Sequence, residues 1–191
     1  MDEGKRFAAA LEKLAGRRGK PERVFERVRW ATMFRLMLSL ALLKGEVLGL
    51  RLQDLDLSAE TPMLHVRQAP QAVGAQTIVG ALKTESAPRS LPLSAPIVKA
   101  LNRYLELRKA AARDEHWEEM GILFTTKVAT PIYPRNVKRA LDPIPKGAGI
   151  PHLRVHDLRH SAATFAAAER VPANYLQRML GHSDPRTTMA I

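Results

Sequence analysis

The chain has 191 residues, 46% hydrophobic and 26% charged, a balance that fits one soluble globular domain and excludes a disordered or collagen-like chain. Lys and Arg number 30 against 19 Asp and Glu, and the resulting formal charge of +11 points to a polyanionic partner, nucleic acid ahead of a membrane surface. Cysteine is absent, which excludes disulfides, thiolate zinc sites and cysteine nucleophiles.

Met1-Asp2-Glu3-Gly4 has neither the basic start nor the apolar core of a signal peptide. Asp2 can cap a helix through Leu14, with Phe7, Ala10, Leu11 and Leu14 at helical spacing and Gly16 as its stop. Gly16-Arg17-Arg18-Gly19-Lys20 reads as a basic connection. Pro21 suits the first turn of a long helix to about Leu43, amphipathic at Val24, Phe25 and Val28 and apolar nearly all round from Ala31. This is the expected core helix. Its most apolar run, Ala31 to Leu43, contains Arg35 and is too short to span a bilayer, so no membrane partner and a cytoplasmic location are expected. Gly45 to Leu50 reads as a short second helix closing near Gly49, with Gln53-Asp54-Leu55-Asp56-Leu57 leading out of it.

Between residues 62 and 93 the pattern shifts to short β-type runs, Met63–Val66, Thr77–Val79 and Arg89–Leu93, which suggest a small antiparallel sheet. Ser94 is a plausible N-cap for a helix from Pro96 to about Arg113, with Ile97, Ala100, Leu101, Tyr104 and Leu105 on one face. Ile122-Leu123-Phe124 is a short apolar run, and Pro134 and Asn136 open a helix that ends before Pro143. Pro143 to Pro151 reads as a loop, followed by helical segments near 156–169, 172–180 and 184–191. The expected class is mainly α with a small antiparallel β-sheet, as a single domain over 1–191.

The densest chemistry is His156-Asp157-Leu158-Arg159-His160, followed by Leu180-Gly181-His182-Ser183. His156 and Arg159 are three apart and share a helical face. A guanidinium binds nonbridging phosphate oxygens in a fork while a neutral imidazole gives or takes a proton. An isolated His-x-x-Arg is more simply a capped helix start with solvated charges. His152, His156 and His160, spaced by four, allow a zinc reading, but the segment lacks the glutamate of His-Glu-x-x-His and Pro151 disfavours a helix at His152. Val171 to Ser183, with a Gly turn and Asp184 as the next cap, also fits the start of a helix-turn-helix.

Taken together, these segments resemble the C-terminal signature of the tyrosine recombinase (phage integrase) family. Gly45 to Arg51, with Asp54 and Asp56, is similar to that family's first box, and Leu82-Lys83-Thr84-Glu85-Ser86 with Arg89–Leu93 to its β-hairpin lysine segment. Phe124-Thr125-Thr126 and Arg135-Asn136-Val137 fit its middle section. The resemblance implies the family's DNA breaking-rejoining catalytic-domain fold. It also implies double-stranded DNA as partner, self-association on DNA in the full-length protein, and no metal, nucleotide cofactor or small-molecule substrate. Strand cleavage would proceed through a 3′-phosphotyrosine. By position, Lys83 matches the general acid to the leaving 5′-oxygen, and His156 the histidine that assists proton transfer at the nucleophile. Arg159 matches the second phosphate-clamping arginine and His182 the residue that hydrogen-bonds the scissile phosphate. Glu46 and His160 are supporting positions.

Two departures from the family pattern stand out. The first box usually reads Gly-Leu-Arg-x-x-Glu, and counting back from Glu46 puts Leu43 at the arginine, with Lys44 beside it. Lysine is a point charge and cannot reproduce a bidentate fork. The nucleophilic tyrosine usually lies about ten residues after the Leu-Gly-His histidine, which here falls just beyond Ile191, and the tyrosines present are Tyr104, Tyr133 and Tyr175. The chain also lacks room for the family's N-terminal core-binding domain. It is therefore expected to be an isolated or truncated catalytic domain, cleavage-deficient as written. The rival is a non-catalytic DNA-binding module, either a helix-turn-helix regulator or a decayed integrase relative.

Overall fold

The computed structural model describes residues 3–73, 76–81 and 88–181, with backbone alone over 68–73 and 76–81. Eight α-helices are described: α1 (Glu3–Gly16), α2 (Pro21–Leu40), α3 (Lys44–Gly49), α4 (Ala95–Ala111), α5 (Pro134–Leu141), α6 (Pro143–Gly147), α7 (Val155–Ala168) and α8 (Ala173–Leu180), with a 3-10 turn at Leu52–Asp54. The strands are β1 (Leu55–Asp56), β2 (Met63–Val66), β3 (Gln68–Val73), β4 (Gln76–Ala81) and β5 (Arg89–Pro92). Mainly α with a small antiparallel sheet is therefore the architecture. No described helix is long and apolar enough to cross a membrane.

α2 is the hub. Val28, Ala31, Met33, Phe34, Leu36 and Met37 are buried around its circumference, and it packs against α1, α4 and α7. A helix apolar on every side must be enclosed, which is why the rest of the chain wraps it. α1 contributes Phe7 and Leu11 to this core, and α4 contributes Ile97, Leu101 and Tyr104. The Tyr104 hydroxyl satisfies itself by donating to the Leu123 carbonyl at 2.9 Å. That ties the buried Ile122-Leu123-Phe124 run to the helices, while Leu123 N–H donates to Leu50 O at 2.8 Å on its other side.

The structure corrects three expected boundaries. The long helix stops at Leu40 rather than near Leu43, because Ala41 adopts a left-handed conformation (φ 53°). The expected sheet is two units, a three-stranded antiparallel sheet in the order β1-β2-β5 and a separate β3–β4 ribbon. β3 gave no strand signal because it carries Pro70 and one β-branched residue. Both strands of a two-stranded ribbon are edges, where proline is tolerated. Within the expected Pro143–Pro151 loop, residues 143–147 form α6, since prolines fit the first turn of a helix, where no N–H donor is required. Ser94 is the N-cap of α4 as expected, although its hydroxyl makes no capping bond. The expected segment 184–191 lies outside the described residues.

Two buried arginines lie away from any catalytic motif. Arg29 donates to Thr125 O at 2.7 Å, its guanidinium 4.7 Å from the Trp30 ring centre. Arg108 grips Glu119 through two bonds of 2.7 and 2.8 Å and donates to Ile122 O at 3.0 Å. The Arg108 bonds, helped by Gly121 N–H, hold the Glu119 carboxyl down at about 2, below its ordinary 4.5. A carboxylate with a depressed folded-state pKa contributes stability above its unfolded pKa and loses it as pH falls through the folded one. Glu119→Gln is therefore expected to lower the melting temperature at pH 7. The gap from the parent should close between pH 4.5 and about 2, as followed by circular dichroism. Because Glu119 is part-exposed, the effect should be modest.

Candidate active site

Three distant segments meet at the C-terminal end of α2. The left-handed turn at Ala41 ends that helix and presents the Ala41 carbonyl to α7. Arg159, one turn into α7 and 9% exposed, donates from Nη1 to Ala41 O at 2.8 Å and from Nη2 to Leu180 O at 2.5 Å. The guanidinium thus joins the ends of α2 and α8. No carboxylate of the described residues bonds it. Burial pulls its pKa below the ordinary arginine value; the nearby Glu46 carboxylate opposes this and Arg89 adds to it. An arginine still stays protonated at neutral pH.

Glu46 is the adjacent anion. At 1% exposure it caps α3, its Oε2 accepting Leu43 N–H at 2.8 Å. Both of its oxygens also take Arg89, Nη1 to Oε1 at 2.7 Å and Nη2 to Oε2 at 2.8 Å. Arg89 Nε donates to Met179 O at 2.9 Å, so Arg89 and Arg159 hold two consecutive carbonyls at the end of α8. Arg89 stands in the Arg-Ser-Leu-Pro-Leu run, which gives no sign of this role in the sequence. Its partner Glu46 is 43 residues away and no local pattern announces the pairing. The cluster carries two cations and one anion.

Gly181 explains how Arg89 fits. Its φ of +67° closes α8 in the left-handed region, and a Cβ there would lie 2.8 Å from Arg89 Nη1. Both the backbone conformation and the close approach of Arg89 favour glycine here.

The other site candidates fall as follows. His156 is exposed in the first turn of α7, three residues before Arg159, and His160 is exposed with its ring edge-on to His156 at 4.6 Å between centres. Asp157 caps α7 by accepting Arg154 N–H at 2.8 Å. Partial burial acts to raise its pKa, but the Arg154 bonds outweigh this and hold the carboxyl below its usual value. His152 lies before α7 with Nε2 3.1 Å from a Glu3 oxygen, so the His152–His156–His160 spacing does not continue on one helix. Among the described residues no group of three His, Asp or Glu could hold a metal ion. Leu43 is the half-buried N-cap of α3, its N–H bonded to Glu46, and Lys44 is exposed. Lys83 and His182, and the second helix of the helix-turn-helix reading, lie outside the described residues. Glu46 and Arg159 thus share one cluster with Arg89, and His156 stands on the same helix as Arg159.

Comparison with known proteins gives the family. The phage integrase family model matches residues 10–191, and the chain belongs to that family. It is 29% identical over 170 residues to an integrase of Mycobacterium phage FRAT1, covering 87% of this chain and 48% of that protein. It is also 29% identical over 177 residues to a tyrosine recombinase XerC-like protein of Caldanaerobacter subterraneus subsp. tengcongensis, covering 85% and 45%. The chain thus spans about half the length of these curated relatives. Among solved structures, the XerH site-specific recombinase bound to difH substrate superposes with a TM-score of 0.72 at 18% identity, over 97% of this chain and 47% of that one. The Tn1549 transposon integrase in complex with transposon right end DNA gives 0.75 at 19% identity, over 95% and 57%.

Breaking a buried ion pair by removing one partner strands the other charge. Glu46→Gln is expected to cost about 3–5 kcal/mol of unfolding free energy in urea titrations, far more than the same change at exposed Glu106.

Proposed function

We propose that this chain is the catalytic domain of a tyrosine-type site-specific recombinase. Such a domain cuts double-stranded DNA through a 3′-phosphotyrosine and rejoins it to another strand in the cytoplasm of a prokaryotic host. The observation that carries this reading is Arg159, a buried guanidinium pinned by two carbonyls and bonded by no carboxylate among the described residues. A cation kept in that state is preorganised for an anion, and a phosphodiester in a duplex is the anion that a +11 chain would meet.

In the proposed reaction a tyrosine hydroxyl attacks the scissile phosphorus, its proton leaves with help from His156, and the bond to the 5′-oxygen breaks. Lys83 protonates that oxygen. Arg159 and His182 bear the charge that builds on the nonbridging oxygens, a step that is mostly positioning and electrostatics. Glu46 supports the site by fixing the start of α3, and His160 supports His156 through its ring contact. The chemistry uses no metal or nucleotide cofactor, and the full-length protein self-associates on DNA.

This 191-residue polypeptide is proposed to be cleavage-deficient as it stands. Tyr104 is buried and bonded to Leu123 O, Tyr133 caps α5 and Tyr175 sits in the first turn of α8. Leu43 holds an apolar side chain where the family pattern has its first arginine, and this favours a second reading, a non-catalytic DNA-binding relative.

Both readings predict duplex binding that weakens by roughly 10³-fold or more between about 50 and 200 mM salt, measurable by fluorescence anisotropy. A flat titration would remove any DNA role. To separate the two, a tyrosine-bearing C-terminal extension and Leu43→Arg are combined in all four ways on a suicide DNA substrate, with adduct read on denaturing gels. The recombinase reading expects no adduct without the extension and a weak one with it. Leu43→Arg should then raise the rate by about 10³- to 10⁵-fold, the usual worth of such an arginine. No adduct in any combination would favour the non-catalytic relative. Adduct from the unextended chain would place the nucleophile at one of the three tyrosines present.

A further inference from the structure

Arg89 occupies the centre of the site, although the proposed chemistry assigns it no contact with DNA. Its side chain is 6% exposed, and its three nitrogens are all engaged, two by Glu46 and one by Met179 O. Three of its five N–H groups are engaged and its charge is met by a buried carboxylate, so it has less to offer a phosphate than Arg159 has. Its effect is then on its neighbours.

Those neighbours are the ones that decide the state of Arg159. Glu46 is the carboxylate whose field Arg159 feels. Were Arg89 absent, Glu46 would be a buried anion lacking its cation, with Arg159 within reach of its field. An arginine drawn into a pair with that carboxylate has less charge and fewer N–H groups to offer a ligand. Arg89 also fixes Met179 O, next to the Leu180 O that positions Arg159 Nη2. Gly181 belongs to the same device, because any Cβ there would push on Arg89 Nη1.

We infer that Arg89 is a positioning residue for the phosphate site. By occupying Glu46 and anchoring the end of α8, it keeps that carboxylate from pairing with Arg159 and leaves Arg159 ready for a phosphate. This rests on the proposed role of Arg159.

The test uses the full chain and a 20-base-pair duplex at low salt, with binding followed by anisotropy and the Arg159 Nε–Hε resonance by NMR. Arg159→Ala is expected to weaken binding by about tenfold, the worth of one charge-assisted contact. Arg89→Met should lose a similar factor together with the DNA-induced shift of the Arg159 resonance. The decisive variant is Arg89→Met combined with Glu46→Gln. With the competing carboxylate neutralised, Arg159 is free again, and most of the affinity and the resonance shift should return. In an Arg159→Ala background, Arg89→Met should add less than about twofold, as two groups acting through one contact are not additive.

A merely structural Arg89 would lower thermal stability but leave the resonance shift of the folded protein intact. Glu46→Gln would then restore stability by removing the stranded carboxylate and leave binding unchanged. Either result overturns the proposal, as does normal affinity in Arg89→Met while Arg159→Ala is weakened. If Arg159→Ala itself binds normally, the phosphate reading fails and this inference falls with it. Should Arg89→Met not fold, Gly181→Ala displaces the same guanidinium without removing its charge. It must then weaken binding and mute the Arg159 shift, and normal behaviour of Gly181→Ala contradicts the proposal.

Discussion

Glu46 accepts from three donors at once, the Leu43 N–H and two nitrogens of Arg89, and is sealed from water while it does so. Each bond settles a different part of the fold. The Leu43 bond starts α3 immediately after the left-handed turn at Ala41. The Arg89 bonds bring β5 against α3, and Arg89 then secures the end of α8. Arg159 closes the circuit from α7 to Ala41 and Leu180. Residues far apart in the chain, at 41–46, 89, 159 and 179–181, are thereby fixed around one buried carboxylate.

Such an arrangement is poor value as a source of stability. Desolvating two guanidiniums and a carboxylate costs about as much as their attraction returns, and a well-packed apolar cluster would serve a fold as well or better. What the polar version supplies is direction. Apolar packing can keep α7 near α2, but it cannot hold a cation at a fixed angle beside the first turn of a helix that carries His156. Among the described residues, the cluster carries one positive charge more than its carboxylate balances. That excess becomes intelligible once a negatively charged group is to be received there.

Much of the scaffold is legible in the sequence, because its signals are local. The all-round apolar character from Ala31 onward marks α2 as the hub, and the spacing of Phe7 with Leu11 and of Ile97 with Leu101 marks the faces packed on it. Where tertiary context overrides local preference, the reading goes astray. β3 contains Pro70 and forms because β4 pairs with it, α6 begins at a proline, and Ala41 takes a backbone conformation usual for glycine. The site divides in the same way. His156 and Arg159 are three residues apart, so their common helix can be read directly. The Arg89–Glu46 bond spans 43 residues and leaves no periodic trace. The buried Arg29 and Arg108 are likewise invisible in a list of basic residues, since their partners lie elsewhere in the chain.

The central claim is that Arg159 is kept from pairing with Glu46 in order to hold a phosphate, and a crystal structure of the chain with a short DNA duplex tests it most directly. The account predicts a backbone phosphate with an oxygen about 3 Å from an Arg159 guanidinium nitrogen. The His156 ring should face the same phosphate, and the Arg89–Glu46 pair should be intact beside it. Duplex bound across a different surface, with Arg159 still directed only at Ala41 and Leu180, would contradict it.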